Sequence, residues 1–322
     1  MRRTRPDYFI YLCVFFALAT TRGAAAAGLD TARIDQVTGA KGVMNAEEGV
    51  FKVSFPREDV KVTVDGAKMP PFMGLTSWAA FKPAMQDGQA MVMGDLVLMQ
   101  DEVNPAMDAA FENGLSVTAL HNHFFFDEPK VYFMHIGGEG TADKLAAGVR
   151  AVLDRVKQVR SSQSQPGKGF GGEALPEKSS LAGGALGQIL GAKPAEKDGM
   201  VKCTIGRSVK MPCGCEAGKE MGVNTWAAFY GADDNAFVDG DFATFDGELQ
   251  PVLHALRAAK VNVVAIHQHM EGETPRVIFL HYWGRGPAKQ LAQGVRSALD
   301  AQQGARQAGD ATGKGTPGAD KH

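Results

Sequence analysis

The sequence predicts an α+β fold made of two homologous domains, each a mostly antiparallel sheet with helices packed on one face. The first observation behind this prediction is an internal repeat. Residues 29–41 match residues 181–193, residues 73–81 match 221–229, and residues 145–150 match 291–296. Each copy is domain-sized, which distinguishes the chain from a solenoid of short repeats.

The second observation is the order of elements within each copy. In the first copy, periodicity predicts a helix at residues 31–38, strands at residues 50–55, 60–64, 76–81 and 91–99, and a helix at residues 101–113. A histidine-rich hairpin and a closing helix, with Leu145, Val149 and Val152 on its apolar face, complete the copy. Helices with one apolar stripe need a sheet to cover, so this order predicts a layered α+β domain. The opposite sheet face is then available to pack on the other half.

Composition sets the expected boundaries. We expect a first repeat domain at residues 28–158, a flexible linker at 159–180, a second repeat domain at 181–303 and a disordered tail at 304–322. The linker is rich in Ser, Gln, Gly and Pro, and the tail has almost nothing to bury.

Residues 1–27 have the pattern of a secretory signal peptide. Arg2, Arg3 and Arg5 precede an apolar run from about residue 8 to residue 19, and small residues follow at 23–27. The run is short for a membrane span. We therefore expect an exported protein, periplasmic or extracellular, with no membrane span in its mature chain.

Charge and motifs narrow the classes of partner. The net charge of −2 gives no electrostatic reason to expect binding to nucleic acid or to an anionic membrane. No nucleotide-binding glycine loop and no Ser-His-Asp arrangement is visible in the sequence. The expected partner is an unknown small molecule or an envelope component, without a nucleotide cofactor.

Three cysteines follow the predicted signal peptide. In an exported protein we expect Cys203 to form a disulfide with Cys213 or Cys215. The alternative is that Cys213 and Cys215 hold a soft metal, together with nearby methionines.

Six of the eight histidines fall in two matching stretches, residues 120–135 and 266–281. Each stretch reads His-x-His, an acid four residues after the second His, Pro, a cation, and an apolar run that closes on a third His. Side chains alternate along a strand, so each His-x-His pair shares one face. A turn centred on Glu128 would set His121 opposite His135 and bring three imidazoles together. The predicted ligand sets are His121, His123 and His135, and His267, His269 and His281.

Three neutral imidazoles with a fourth position open suit Zn²⁺ or another divalent transition metal. Asp127 and Glu273 occupy matching positions, and each is a candidate fourth ligand, orienting group or catalytic general base. Hydrolytic chemistry is one use of such a centre. The alternative is an envelope ligand-binding or interaction protein whose histidines are structural, with a cleft between the halves near Trp78 and Trp226. We expect both tryptophans in the core, and the sequence leaves open whether the protein is an enzyme.

The segment 117–123, preceded by residues 94–98 and 101–105 and followed by Pro129 and residues 134–137, resembles the LppY/LpqO family. The resemblance covers nearly the whole mature chain. It implies an exported bacterial protein built on a domain of unknown function, present here in two copies, with no established activity or ligand. The chain departs from the family in lacking a lipid-attachment cysteine and in having Gln268 between the histidines of the second copy.

Overall fold

The structure, a computed structural model, describes residues 28–311. The predicted signal peptide at residues 1–27 and the last part of the predicted tail, residues 312–322, lie outside the described residues.

The first copy contains three helices and nine strands. In chain order these are α1 (Thr31–Thr38), β1 (Gly42–Asn45), β2 (Val50–Pro56), β3 (Val62–Val64), β4 (Ala67–Met69), β5 (Thr76–Pro83), β6 (Ala90–Met99), α2 (Gln100–Glu112), β7 (Ser116–His121), β8 (Asp127–Glu128), β9 (Val131–Gly140) and α3 (Ala142–Ser162). The predicted helix at residues 31–38 and the strands near residues 50, 76 and 91 are confirmed within a few residues.

The second copy repeats this order with minor changes. Its elements are α4 (Gly183–Leu190), β10 (Pro194–Lys197), β11 (Met200–Gly206), β12 (Val209–Lys210), β13 (Glu216–Ala217), β14 (Asn224–Gly231), β15 (Ala236–Phe245), α5 (Leu249–Ala258), β16 (Asn262–His267), β17 (Val277–Gly286) and α6 (Ala288–Ala311).

The two copies share one twelve-stranded sheet, in the order β1-β2-β5-β6-β9-β7-β16-β17-β15-β14-β11-β10. The order of the second copy is the mirror of the first, with β7 and β16 in contact at the centre. Leu120 of β7 pairs with Ile266 of β16 in antiparallel register. The halves are therefore joined edge to edge, not packed face to face as the sequence suggested. An inner edge strand in each copy presents unpaired backbone groups, and pairing with the other copy satisfies them.

The helices cover one face of this sheet, and a single hydrophobic cluster runs beneath them through both copies. On the other face, two smaller apolar clusters lie under short accessory strands. One surrounds Phe133 beneath the small sheet β4-β3-β8, and its counterpart surrounds Phe279 near β12 and β13. The predicted α+β class, with an internal duplication and helices on one sheet face, is confirmed.

Helices α2 and α5 make matching polar contacts across the joint. The Gln250 side chain accepts a hydrogen bond from Val117 N (3.1 Å) and donates one to Val117 O (2.7 Å). Its counterpart Asn104 donates to Asn262 Oδ1 (2.9 Å). An ion pair between Arg257 and Asp108 (2.8 Å) adds to these contacts. The relative position of the two copies is therefore fixed by side chains as well as by strand pairing.

The segment between α3 and α4 follows the surface of the protein without regular structure. Tyr230 donates to Pro176 O (2.7 Å), Asn235 donates to Ala174 O (2.9 Å), and Phe170 contacts Trp283. At the other end, α6 continues past Gly304, where the sequence predicted the start of a disordered tail. The extension has a packing reason, because the Gln302 side chain is buried and donates to Ala243 O (2.8 Å) and Glu248 Oε2 (3.0 Å).

The cysteine prediction was wrong. Cys213 and Cys215 form a disulfide with each other, and Cys203 is free. Cys203 lies on β11 with its side chain in the core, only 2% exposed, so its thiol points away from the loop that carries the other two. The pairing of Cys213 with Cys215 also removes the thiolates that a soft-metal site would need.

None of the helices in residues 28–311 combines the length and the apolar character needed to cross a membrane.

Candidate metal centre

The register of the hairpin decides where the first three histidines point. In the pairing of β7 with β9, His121 lies opposite Phe133, and Ala119 lies opposite His135. The predicted pairing of His121 with His135 was therefore wrong by two residues. An even shift keeps side chains on the same face, whereas a shift of one residue would have turned His135 into the core. The imidazoles still converge on the face that the helices leave uncovered.

The loop between β7 and β9 is wider than the tight turn we predicted, and Asp127 organises it. Asp127 Oδ2 accepts a hydrogen bond from Val131 N at 2.6 Å, and in the second copy Glu273 Oε1 accepts from Val277 N at 3.0 Å. Both carboxylates are 7% exposed. The structure therefore places each acid four residues before β9 or β17, where its carboxylate binds the first backbone N–H of that strand.

The carboxylates nearest the imidazoles belong to Asp95 and Asp241. His135 Nε2 lies 3.9 Å from Asp95 Oδ1, and His269 Nε2 lies 3.8 Å from Asp241 Oδ2. Both acids come from the neighbouring strands β6 and β15, opposite His135 and His281. The repeated Gly-Asp pair, Gly94-Asp95 and Gly240-Asp241, was visible in the sequence as a match. The sequence did not reveal the strand order, because β6 and β9 are separated along the chain by a helix and two strands.

In the first copy, two of the three imidazoles approach closely. His121 Nε2 lies 3.1 Å from His135 Nε2. His123 stacks on the buried ring of Phe133, with ring centroids 3.4 Å apart and planes 5° from parallel, and its centroid lies 5.1 Å from that of His121. Phe133 thus fixes the plane of His123 beside the other two rings.

In the second copy, all three imidazoles converge. His267, His269 and His281 each offer a nitrogen, and these nitrogens all lie within 4.8 Å of one another. His267 Nε2 and His269 Nε2 are 3.0 Å apart, and His269 stacks on Phe279 with centroids 3.6 Å apart. Two nitrogens bound to one tetrahedral zinc at the usual bond length are about 3.3 Å apart. The cluster therefore has nearly the spacing that a shared metal ion requires.

Burial favours the neutral form of His267, of its neighbour His269 and of His123 in the first copy. It lowers the pKa of His267 to about 4, with a further contribution from the neighbouring His281 and His269. The pKa of His269 and that of His123 are also lowered, chiefly by burial. A metal binds the unprotonated ring nitrogen, so at neutral pH protons compete little for these three rings.

Several buried polar atoms around the clusters lack a hydrogen-bond partner among the described residues. They are Asp95 Oδ1, Asp241 Oδ1 and His267 Nδ1. Leaving such an atom unsatisfied costs about 1–3 kcal/mol. Asp241 is 4% exposed, and burial raises its carboxyl pKa to about 6 although His281 opposes the shift. A cation between Asp241 and the imidazoles would compensate the buried charge.

The residue between the paired histidines differs in the two copies but stabilises the loop in both. Asn122 Nδ2 donates to Val131 O at 2.7 Å. Gln268, with its amide oxygen turned toward Arg276, accepts from Arg276 Nε at 2.7 Å. The difference between Asn and Gln therefore leaves the histidine spacing intact.

Trp78 and Trp226 are not core residues, contrary to the expectation. Each is half-buried on the open face, opposite Asp95 and Asp241 respectively. Lys52 Nζ lies 4.2 Å from the centroid of the Trp78 ring, and Lys202 has the same distance to Trp226. Because the sheet is continuous, the tryptophans line an open surface on either side of the histidines, and not a cleft between two domains.

Comparison with known proteins gives a family but no activity. No curated protein matches the chain. Among solved structures, a trimeric bacterial microcompartment shell protein, PduB, matches with 11% identity, covering 85% of this chain and 94% of that one, at a TM-score of 0.19. EtuB from Clostridium kluyveri matches with 10% identity, covering 84% and 93%, at a TM-score of 0.21. Scores this low support no conclusion about the fold or assembly of this chain.

The family model described as Domain of Unknown Function (DUF1259) matches twice, at residues 32–155 and 184–301. The two matches coincide with the two copies seen in the sequence and in the sheet. The chain therefore belongs to this uncharacterised family and carries its domain in duplicate.

Proposed function

We propose that this protein binds a divalent transition metal, with zinc as the best match, through His267, His269 and His281. The observation that supports the proposal is the convergence of their three nitrogens within 4.8 Å of one another. Three neutral imidazoles are a common zinc ligand set in sites that keep one position for water or substrate. The equivalent residues of the first copy, His121, His123 and His135, supply the second centre of the proposal.

Hydrolysis is the use of the metal that the surroundings favour. A bound divalent ion lowers the pKa of a coordinated water toward neutrality. Asp241 lies beside His269 with one oxygen unsatisfied and a pKa raised to about 6 by burial, which suits a group that accepts a proton from such a water. Asp95 has the equivalent position in the first copy. Asp127 and Glu273 are less suited to this role because each already binds loop backbone.

Localisation is part of the same proposal. The basic residues, apolar run and small residues of positions 1–27 favour export to the periplasm or beyond. Similarity to the LppY/LpqO family is also a proposal, and it points to the same compartment.

The rival function is that of an envelope protein that binds a ligand over the open sheet face. It is favoured by the half-buried Trp78 and Trp226, which lie beside Asp95 and Asp241.

The test is zinc binding to purified protein at pH 7.5, by equilibrium dialysis followed by elemental analysis. We expect wild type to bind up to two zinc ions and the variant His267→Ala with His281→Ala to bind at least one ion fewer. His254→Ala is the matched control, because His254 is exposed on α5 and stacks on Phe111, away from both triads. The absence of zinc in wild type, or an equal loss in the control, would refute the proposal and leave the ligand-binding rival.

A further inference from the structure

The two histidine triads lie on the same face of the sheet, on either side of the joint. Counting outward from the antiparallel pair Leu120–Ile266, His267 of β16 stands across from Ala119 of β7. On its other side, Ala119 pairs with His135 of β9. One alanine is therefore flanked by a histidine from each copy.

The same relationship repeats on the next row. His121 stands across from Ala265, and Ala265 pairs with His281 of β17. Asp95 continues the first row beyond His135, and Asp241 continues the second row beyond His281. The two rows run in opposite directions, as the mirror order of the strands requires. The triads are therefore interleaved at the joint and do not form two remote sites.

The spacing between the triads follows from sheet geometry. His121 and His267 are diagonal neighbours on adjacent strands, which places their Cα atoms about 7–8 Å apart. His135 and His267 are two strands apart, or about 10 Å between Cα atoms. The side chains between them, Ala119 and Ala265, are single methyl groups and are only partly buried. The sheet surface between the triads therefore carries only small side chains and is open to solvent.

The charges around the triads indicate what kind of ligand would bind between the two metal centres. The imidazole ligands are neutral, so each divalent ion would be offset locally by one carboxylate, Asp95 or Asp241. Each centre then retains a net positive charge, and the two centres together favour a ligand with two negative charges.

We propose that the six histidines form one two-metal site across the joint between the copies, and that it takes a small dianion with an oxygen group at each end. This inference rests on the proposed metal binding by the triads. Each end of the dianion coordinates one metal, and the part of the dianion between its two ends lies over Ala119 and Ala265. The duplication has a direct consequence in this arrangement, because a single copy would present only half of the site.

The distance between the metals is tested with Cu²⁺ in place of the native ion. We expect wild-type protein to bind two copper ions and to show dipolar broadening of the copper electron paramagnetic resonance signal. In the variant His267→Ala with His281→Ala, the remaining copper signal should lose that broadening. Two bound ions without coupling, or one bound ion, would overturn the composite site while leaving metal binding intact. No bound copper would refute the metal proposal itself.

The ligand class is tested by calorimetry on the zinc-loaded protein. Succinate, a dianion, should bind roughly 100-fold more tightly than acetate, because its second carboxylate binds intramolecularly. The double variant Ala119→Phe with Ala265→Phe should bind succinate more weakly and still bind zinc. The control Thr118→Phe, at an exposed position on the same strand as Ala119, should leave the affinity for succinate unchanged. If neither succinate nor the longer glutarate binds more tightly than acetate, the proposal that a dianion bridges the two metals is wrong. That comparison uses wild-type protein, so it stays decisive even where the double variant loses zinc.

Discussion

Leu120 of β7 pairs with Ile266 of β16, and this contact turns two copies of a domain into one twelve-stranded sheet. Both side chains are buried beneath the helices, at 0% and 3% exposure. The next residue along each strand is a histidine on the opposite face. The joint that holds the copies together is thus also the place where the two triads meet.

The polar contacts across the joint give the first prediction. Gln250→Ala removes both hydrogen bonds to Val117 and leaves a buried backbone N–H and C=O without partners. We expect the free energy of unfolding to fall by about 1–3 kcal/mol, measured by urea denaturation. Gln250→Glu is the comparison, because it keeps an acceptor for Val117 N but places a carboxylate oxygen against Val117 O, so it should also lose stability. Unchanged stability in Gln250→Ala would show that the joint does not depend on this contact.

The second prediction concerns the buried carboxylate of Glu102, which lies at the start of α2. It is 0% exposed and accepts from Arg57 at 2.8 Å and 2.9 Å and from Met99 N at 2.8 Å. Glu102→Ala removes one of the two carboxylate partners of the buried Arg57, which keeps Asp59, and also removes the 2.7 Å ion pair of Glu102 with Arg160. We therefore expect a loss of about 3 kcal/mol in the free energy of unfolding.

The control for Glu102 is an exposed ion pair on α3. Arg150 and Asp154 are one helical turn apart, with Nε and Oδ2 separated by 2.7 Å. Asp154→Ala should cost no more than about 0.5 kcal/mol. Equal losses in the two variants would mean that burial does not determine the strength of these pairs.

The class of fold and the duplication were predictable because they depend on patterns within short windows. The apolar residues of α2 and α3 recur at helical spacing, and whole segments match between the copies. The edge-to-edge joint was not predictable in the same way. It depends on whether β7 pairs with β16, and nothing in the residues Ser116–His121 or Asn262–His267 distinguishes an inner strand from an edge strand.

The histidines show the same division. Their repeated spacing identified the candidate site, and period-two alternation predicted that each His-x-His pair shares a face. Asp95 and Asp241 were recognised as matching acids, but their position beside the histidines was not predicted, because they reach the site through strand neighbours distant in sequence. Trp78 was misplaced for a related reason. Its strand is buried on one face only, and Ala79 and Phe81 take the core positions.

The third prediction is a pH dependence from Asp241. Burial raises its carboxyl pKa from 3.8 to about 6 in the folded protein. Unfolded protein loses this proton near its ordinary pKa, whereas folded protein retains it until about pH 6. The contribution to stability is therefore complete below about pH 4 and is lost as pH rises through 6.

The variant Asp241→Asn has no carboxyl group at this position, so its stability does not fall through ionisation of Asp241 as the pH rises. In metal-free protein with chelator, the stability of the Asn variant relative to wild type should increase between pH 4 and pH 7. The expected gain is on the order of 2–3 kcal/mol, from about 1.4 kcal/mol per pKa unit. Thermal unfolding at the two pH values measures it. A stability difference that does not change with pH would contradict the assignment of a buried, destabilised carboxylate to this position.

The central claim is that His267, His269 and His281 hold one metal ion, and diffraction tests it most directly. Crystals grown with zinc and measured on both sides of the zinc absorption edge should show an anomalous peak within about 2.0–2.1 Å of one nitrogen from each of these three histidines. A second peak among His121, His123 and His135 is expected from the equivalent triad. An anomalous map with no peak at the second-copy triad, in crystals soaked with zinc at neutral pH, would contradict the account.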